Sequence, residues 1–223
     1  MAWGLGVGIL IIALIFAFFG VVIFMETRTH RFWQRKVDEG DLNMITLLVQ
    51  EEVQHWRSER PPKGVPASVW QGIQGVELVE VGTDHIRVST TAEPQFAFVS
   101  GSRRQVTSAL DEAKRVAAKL AERLFYDIPH IRPARVQIDC YTTFHEASGD
   151  AAQRCILSAA TDRAHAAEVD WENDPPEVIA EQLGARYALD ARGVPQAIDP
   201  EGGQAPVSSN GVVRKTNGSG PVS

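Results

Sequence analysis

The chain has 223 residues, a net charge of −6 at neutral pH, and only two cysteines, Cys140 and Cys155. That acidic balance excludes nucleic acid as the main partner, and two thiols are too few for the disulfide framework of a small secreted scaffold. Once an apolar start and a polar end are set aside, about 170 residues remain, enough for one domain with its own core.

From Ala2 to Met25 no residue carries a charge. As a helix this stretch is roughly 36 Å long, enough to cross a hydrocarbon layer of about 30 Å. The run lacks the basic start and small-residue cleavage site of a signal peptide, so residues 1–26 are expected to be an uncleaved transmembrane anchor. Arg28, Arg31, Arg35 and Lys36 follow it, which places the N-terminus outside and the rest of the chain in the cytoplasm of a cell inner or plasma membrane. Trp3 and Trp33 sit at positions suited to the two interfaces. Gly6, Ala13, Ala17 and Gly20 share one stripe of the helix, the groove that helix pairing in lipid requires.

Residues 27–60 read as a polar neck and an amphipathic juxtamembrane helix. Asp41 is placed to cap that helix, along which Leu42, Ile45, Leu48, Val49, Val53 and Trp56 recur at helical spacing. The proline-rich stretch from Arg60 to Pro66 is expected to separate it from an α+β domain over 61–191. A short helix over 67–73 precedes a strand-rich block. There Ile86, Val88 and Thr90 alternate with His85, Arg87 and Ser89, a pattern that buries one face only. Residues 95–99 and a piece near Gln105 extend this block into a small antiparallel sheet.

Ser108 and Asp111 open the clearest helix, with Leu110, Ala113, Ala117, Leu120 and Leu124 on its buried stripe. Residues 135–145 form the next strand, and 153–160 read as its return strand, with a helix as the alternative. Helices are expected to start near Asp162 and at Asp174-Pro175-Pro176-Glu177, the second stopped by Gly184. Beyond residue 191 the composition turns to Gly, Pro, Ser and Asn, which predicts a flexible tail over 192–223.

A search for chemistry returns little. His145-Glu146 lacks the second histidine of a zinc-protease helix. No nucleophile elbow, Walker loop or strand-linked G-x-G-x-x-G occurs, and no C-x-x-C-H attaches haem. Asp162, His165, Glu168 and Asp170 read as a solvated helix start rather than a cation site. The two cysteines read as small buried residues. Arg103-Arg104 is too short a basic run to bind nucleic acid. No catalytic, cofactor-binding or metal-binding set is expected.

The sequence therefore predicts a non-enzymatic accessory or scaffold subunit of a larger membrane complex, respiratory or photosynthetic. Its partners would be the lipid bilayer and other membrane-protein subunits, met through the span and through the cytoplasmic domain. A tethered sensor with a polar pocket between the 108–126 helix and the sheet is the alternative. A hydrolase acting through Asp139, His145 and Glu146 is the third reading.

Overall fold

The computed structural model describes residues 39–99, 101–145 and 151–203, together with 16, 18–21, 25 and 35–37. Gly40 takes a left-handed conformation, and Asp41 then accepts a hydrogen bond from the amide of Met44 (3.3 Å), starting helix α1 at Leu42–Ser58. Ile45, Val49, Val53 and Trp56, spaced four, four and three residues apart, are buried. Helix α2 spans Ala67–Gln74 and buries Val69, Trp70 and Ile73 in the same core. The intervening prolines, Pro61, Pro62 and Pro66, are exposed and turn the chain on the surface while the helices on either side share that core. Trp70 Nε1 donates to the carbonyl of Glu59 (3.0 Å), tying the two helices together across the bend, and Arg57 Nη2 donates to the carbonyl of Val76 (3.0 Å), just past the end of α2.

Strands β1 (Glu77–Val81) and β2 (His85–Thr91) pair antiparallel. A hairpin follows, β3 (Gln95–Val99) with β4 (Ser102–Thr107), and then helix α3 over Ala109–Tyr126. Its capping box is complete, since Ser108 Oγ accepts from the amide of Asp111 (3.1 Å) and Asp111 accepts from that of Ser108 (3.4 Å). Strands β5 (Arg135–His145) and β6 (Ala151–Asp162) pair antiparallel, so 153–160 is strand, not helix. Two short helices, α4 (Arg163–Ala166) and α5 (Pro176–Gln182), lead to a two-residue ladder of β7 (Ala188–Leu189) with β8 (Pro195–Gln196).

The main sheet has the order β1-β2-β5-β6, and β2 runs parallel to β5 with His85 opposite Arg135 and Ser89 opposite Asp139. This corrects the antiparallel sheet expected from the sequence. Parallel neighbours need a long crossover, and α3 supplies it. The β3–β4 hairpin is a separate two-stranded sheet among the described residues, not an extension of the main one.

A second correction concerns the faces. Arg87 and Ser89 on β2 are buried, as are Ile86 and Val88, so both faces of this central strand are covered, as parallel pairing favours. Helices cover one face. On the other lies the segment expected to begin the flexible tail. Ile198 donates its amide to the carbonyl of Cys155 (2.9 Å) and packs with Tyr141, Cys155 and Val79 in a small second cluster. Residues 192–203 thus belong to the folded unit, as a strap held by backbone hydrogen bonds and one apolar anchor. Low hydrophobicity forbids a core of one's own but not a place on a neighbour's.

A third correction concerns the anchor. Among the described residues no helix is long and apolar enough to cross a membrane. Among the described residues the longest continuous helices, α1 and α3, are amphipathic and pack on the sheet domain. This overturns the fold drawn around a transmembrane helix, the single-pass description and the membrane localisation. Of the proposed packing stripe, Gly20 is helical and exposed, with open space where a Cβ would stand. Gly6, Ala13 and Ala17 lie outside the described residues, as do Trp3, Arg28, Arg31 and Trp33. Arg35 and Lys36 are helical, and Lys36 pairs with Glu39 at 3.0 Å.

Candidate functional site

Chemistry-bearing side chains converge at one buried place, the strap face of β2, β5 and β6. Register brings them together, because Ser89 and Ser158 both lie opposite Asp139 and Arg87 lies opposite Gln137. Asp139 is 0% exposed. Its Oδ2 accepts from Arg87 Nε (2.8 Å) and Nη2 (2.7 Å), and its Oδ1 from Ser158 Oγ (2.7 Å) and Gln137 Nε2 (3.1 Å). Arg87 also reaches the strap, donating to the carbonyls of Gly202 (3.2 Å) and Gly203 (2.6 Å), while Gln137 donates to that of Glu201 (2.9 Å).

A general base needs a lone pair free for the proton it takes. Both oxygens of Asp139 are already committed to neutral or cationic donors inside the fold. The Ser158 hydroxyl hydrogen is spent on Asp139, and no histidine is among the partners of either. The network is a clip that holds the strap to the sheet. Nor does the hydrolase trio assemble: His145 is six residues from Asp139 along the same strand, about 20 Å at strand rise, and Glu146 lies outside the described residues.

Both thiols are free and buried. Cys140 Sγ lies 3.6 Å from the carbonyl of Ala113 on α3, and burial holds its pKa well above the usual thiol value. Burial, reinforced by the Asp139 carboxylate, pushes the Cys155 thiol up to about 12. Burial therefore disfavours the thiolate, the reactive form, at both positions. Iodoacetamide at pH 8 is expected to leave both unlabelled until denaturant unfolds the chain; labelling of either at native conditions would contradict the packing.

The sensor reading required a polar pocket between α3 and the sheet. That interface is filled by Ala113, Val116, Ala117, Leu120 and Leu124 against Val88, Ile138 and Cys140, all buried in one cluster. Nor do Asp162, His165, Glu168 and Asp170 form a cation site: Asp162 caps α4 through the amide of His165 (2.9 Å), and Asp170 holds Asn173. Among the described residues no group of histidine, cysteine and carboxylate side chains is arranged to hold a metal.

The β3–β4 hairpin is the contrasting place. Register puts Phe98 opposite Arg103, Ala97 opposite Arg104 and Phe96 opposite Gln105. Phe98 is 81% exposed, Val106 59% and Phe96 45%. Arg103 lies over the Phe96 ring, 4.0 Å from its centroid. The root of the hairpin is fixed by Glu93, whose Oε2 accepts from Thr142 Oγ1 (3.1 Å) and whose Oε1 accepts from Thr143 Oγ1 (2.8 Å) and the Thr143 amide (3.1 Å). The clamp ties the root of the hairpin to β5 just beyond the last β2 pair, Thr91 opposite Tyr141.

Sequence reasoning passed over this site by assigning 95–99 and the piece near Gln105 to the main sheet and by weighing Arg103-Arg104 only as a basic run too short for nucleic acid. A signal was present. The run Ser-Arg-Arg-Gln-Val-Thr has no alternate apolar set, so it offers no face to a core. Comparison of the chain with models of protein families, with curated proteins and with solved structures finds no match.

Proposed function

We propose that this chain is a non-enzymatic interaction domain, and that the β3–β4 hairpin is the element through which it binds another protein. One observation carries the reading: a hairpin hydrogen-bonded to β5 at its root through Glu93 and exposed on both faces presents Phe98 and Val106 to solvent beside two arginines. A two-stranded hairpin is marginal in water by itself. Burying Phe98 in a partner would contribute about 1.5–3 kcal/mol, and aromatic and arginine side chains dominate binding hot spots. The scaffold role expected from the sequence is retained in this form, without a membrane span.

The test uses untagged full-length protein isolated gently from its own cells and weighed by native mass spectrometry. A stoichiometric partner chain is expected, lost from the Phe98→Ala, Val106→Ala double variant. Because both side chains are exposed, the variant's unfolding free energy should stay within about 0.5 kcal/mol of the parent. A partner retained by the stable variant, or a lone chain in both samples, would overturn the reading.

A further inference from the structure

The hairpin also carries information about how it is met. Neither outer edge of β3 or β4 pairs with a further strand among the described residues. The connection at 100–101 is two residues long, with Gly101 at φ +80, which makes the flanking pair Val99 and Ser102 the hydrogen-bonded one. Pairs alternate from there, so Arg103 and Gln105 turn their amide and carbonyl groups outward along the free edge of β4. The stretch Arg103–Gln105 thus offers an outward set of backbone groups to one more strand, ending at the bulge where Val106 is the extra residue between the pairs Phe96–Gln105 and Gln95–Thr107.

Charge selects what that strand carries. Between Glu93 and Asp111 the sequence holds no acidic residue, and Arg103 and Arg104 give the hairpin a charge of +2 within a chain of net −6. Being adjacent on a strand, the two arginines project to opposite faces. A second copy of the hairpin edge would set like charges against each other, which directly opposed strands disfavour. Resting on the interaction reading above, the geometry points to β-strand addition: an extended segment of a partner protein, with two adjacent acidic residues flanked by β-branched ones, pairs along the outer edge of β4. One carboxylate then lies beside Arg103 and the other beside Arg104, each on its own face.

The probe is a ten-residue synthetic peptide of alternating valine and threonine with two glutamates at its centre, titrated into the full-length protein at low salt. A matched peptide carries two lysines instead. The glutamate peptide is expected to bind at millimolar concentration and to slow hydrogen exchange at the amides of Arg103 and Gln105. The lysine peptide should bind about tenfold more weakly, because two opposite-charge pairs become like-charge pairs. In the protein, Gln105→Pro removes one outward amide at an edge where proline is tolerated, and should weaken binding about fivefold; Gln105→Val keeps the amide and should not. The proposal is overturned by absence of binding, by exchange unchanged at both amides, by equal affinity for the two peptides, or by identical behaviour of the two variants. The interaction reading is decided separately, since the Phe98→Ala, Val106→Ala variant removes two side chains and leaves every backbone donor and acceptor of the β4 edge in place.

Discussion

Replacing Asp139 with alanine should lower the unfolding free energy by about 3–5 kcal/mol, the usual cost of removing one member of a buried ion pair. Arg87 is 6% exposed, so the substitution strands a guanidinium away from water. Its other hydrogen bonds, to the carbonyls of Gly202 and Gly203, are to neutral acceptors and cannot offset the charge. Ser158 Oγ and Gln137 Nε2 lose an acceptor at the same time. Denaturant titration of Asp139→Ala, of Arg87→Met and of the double variant Arg87→Met, Asp139→Leu separates charge from packing. The apolar pair should be more stable than Asp139→Ala, because no buried charge is left over.

The strap gives that cycle a second readout. In Arg87→Met, Asp139→Leu the sheet keeps its packing, but Gly202 and Gly203 lose their donor. Exchange at the Ile198 amide, which is bonded to the carbonyl of Cys155, should then quicken even where global stability recovers. Unchanged protection at Ile198 would mean that the apolar contact of Ile198 with Tyr141 and Cys155 holds the strap without the clip.

Local chemistry in this chain was legible, and long-range pairing was not. Asp41 and the Ser108/Asp111 pair announce their helices, since a cap is decided within four residues. The alternation of Ile86 and Val88 with Arg87 and Ser89 announces a strand but conceals what covers its second face. That cover comes from residues 198–203, more than a hundred positions away, through an arginine whose partner lies on another strand. A charged residue at an alternate position reads as solvent-facing unless its counterion is known to be opposite. The same gap hid the parallel pairing of β2 with β5, which depends on where α3 delivers the chain. The hairpin was misassigned for the converse reason: strand propensity was read correctly in Phe96 and Phe98, but propensity does not say which sheet a strand joins.

The Arg60–Pro66 stretch poses the question of whether α1 belongs to the domain, and Trp56 answers it energetically. Trp56→Ala is expected to lower stability by about 3–5 kcal/mol, as large-to-small changes at fully buried aromatic sites do. The indole is 0% exposed, donates from Nε1 to Glu52 Oε1 (2.7 Å), and lies 4.9 Å from the Arg123 guanidinium, which Trp70 flanks on α2 at 5.1 Å. Arg123 is in turn held by Glu59 (2.7 Å) and Asp127 (3.0 Å), so one cation joins α1, α2 and α3. Loss of the indole therefore opens a cavity and also exposes an arginine positioned by three helices. Unfolding followed by tryptophan fluorescence and by far-ultraviolet circular dichroism should shift together to lower denaturant with an unchanged slope, because α1 and the sheet share one core. Two separated transitions, with the sheet's midpoint unmoved, would make α1 an independent element and return the proline stretch to the role of a boundary.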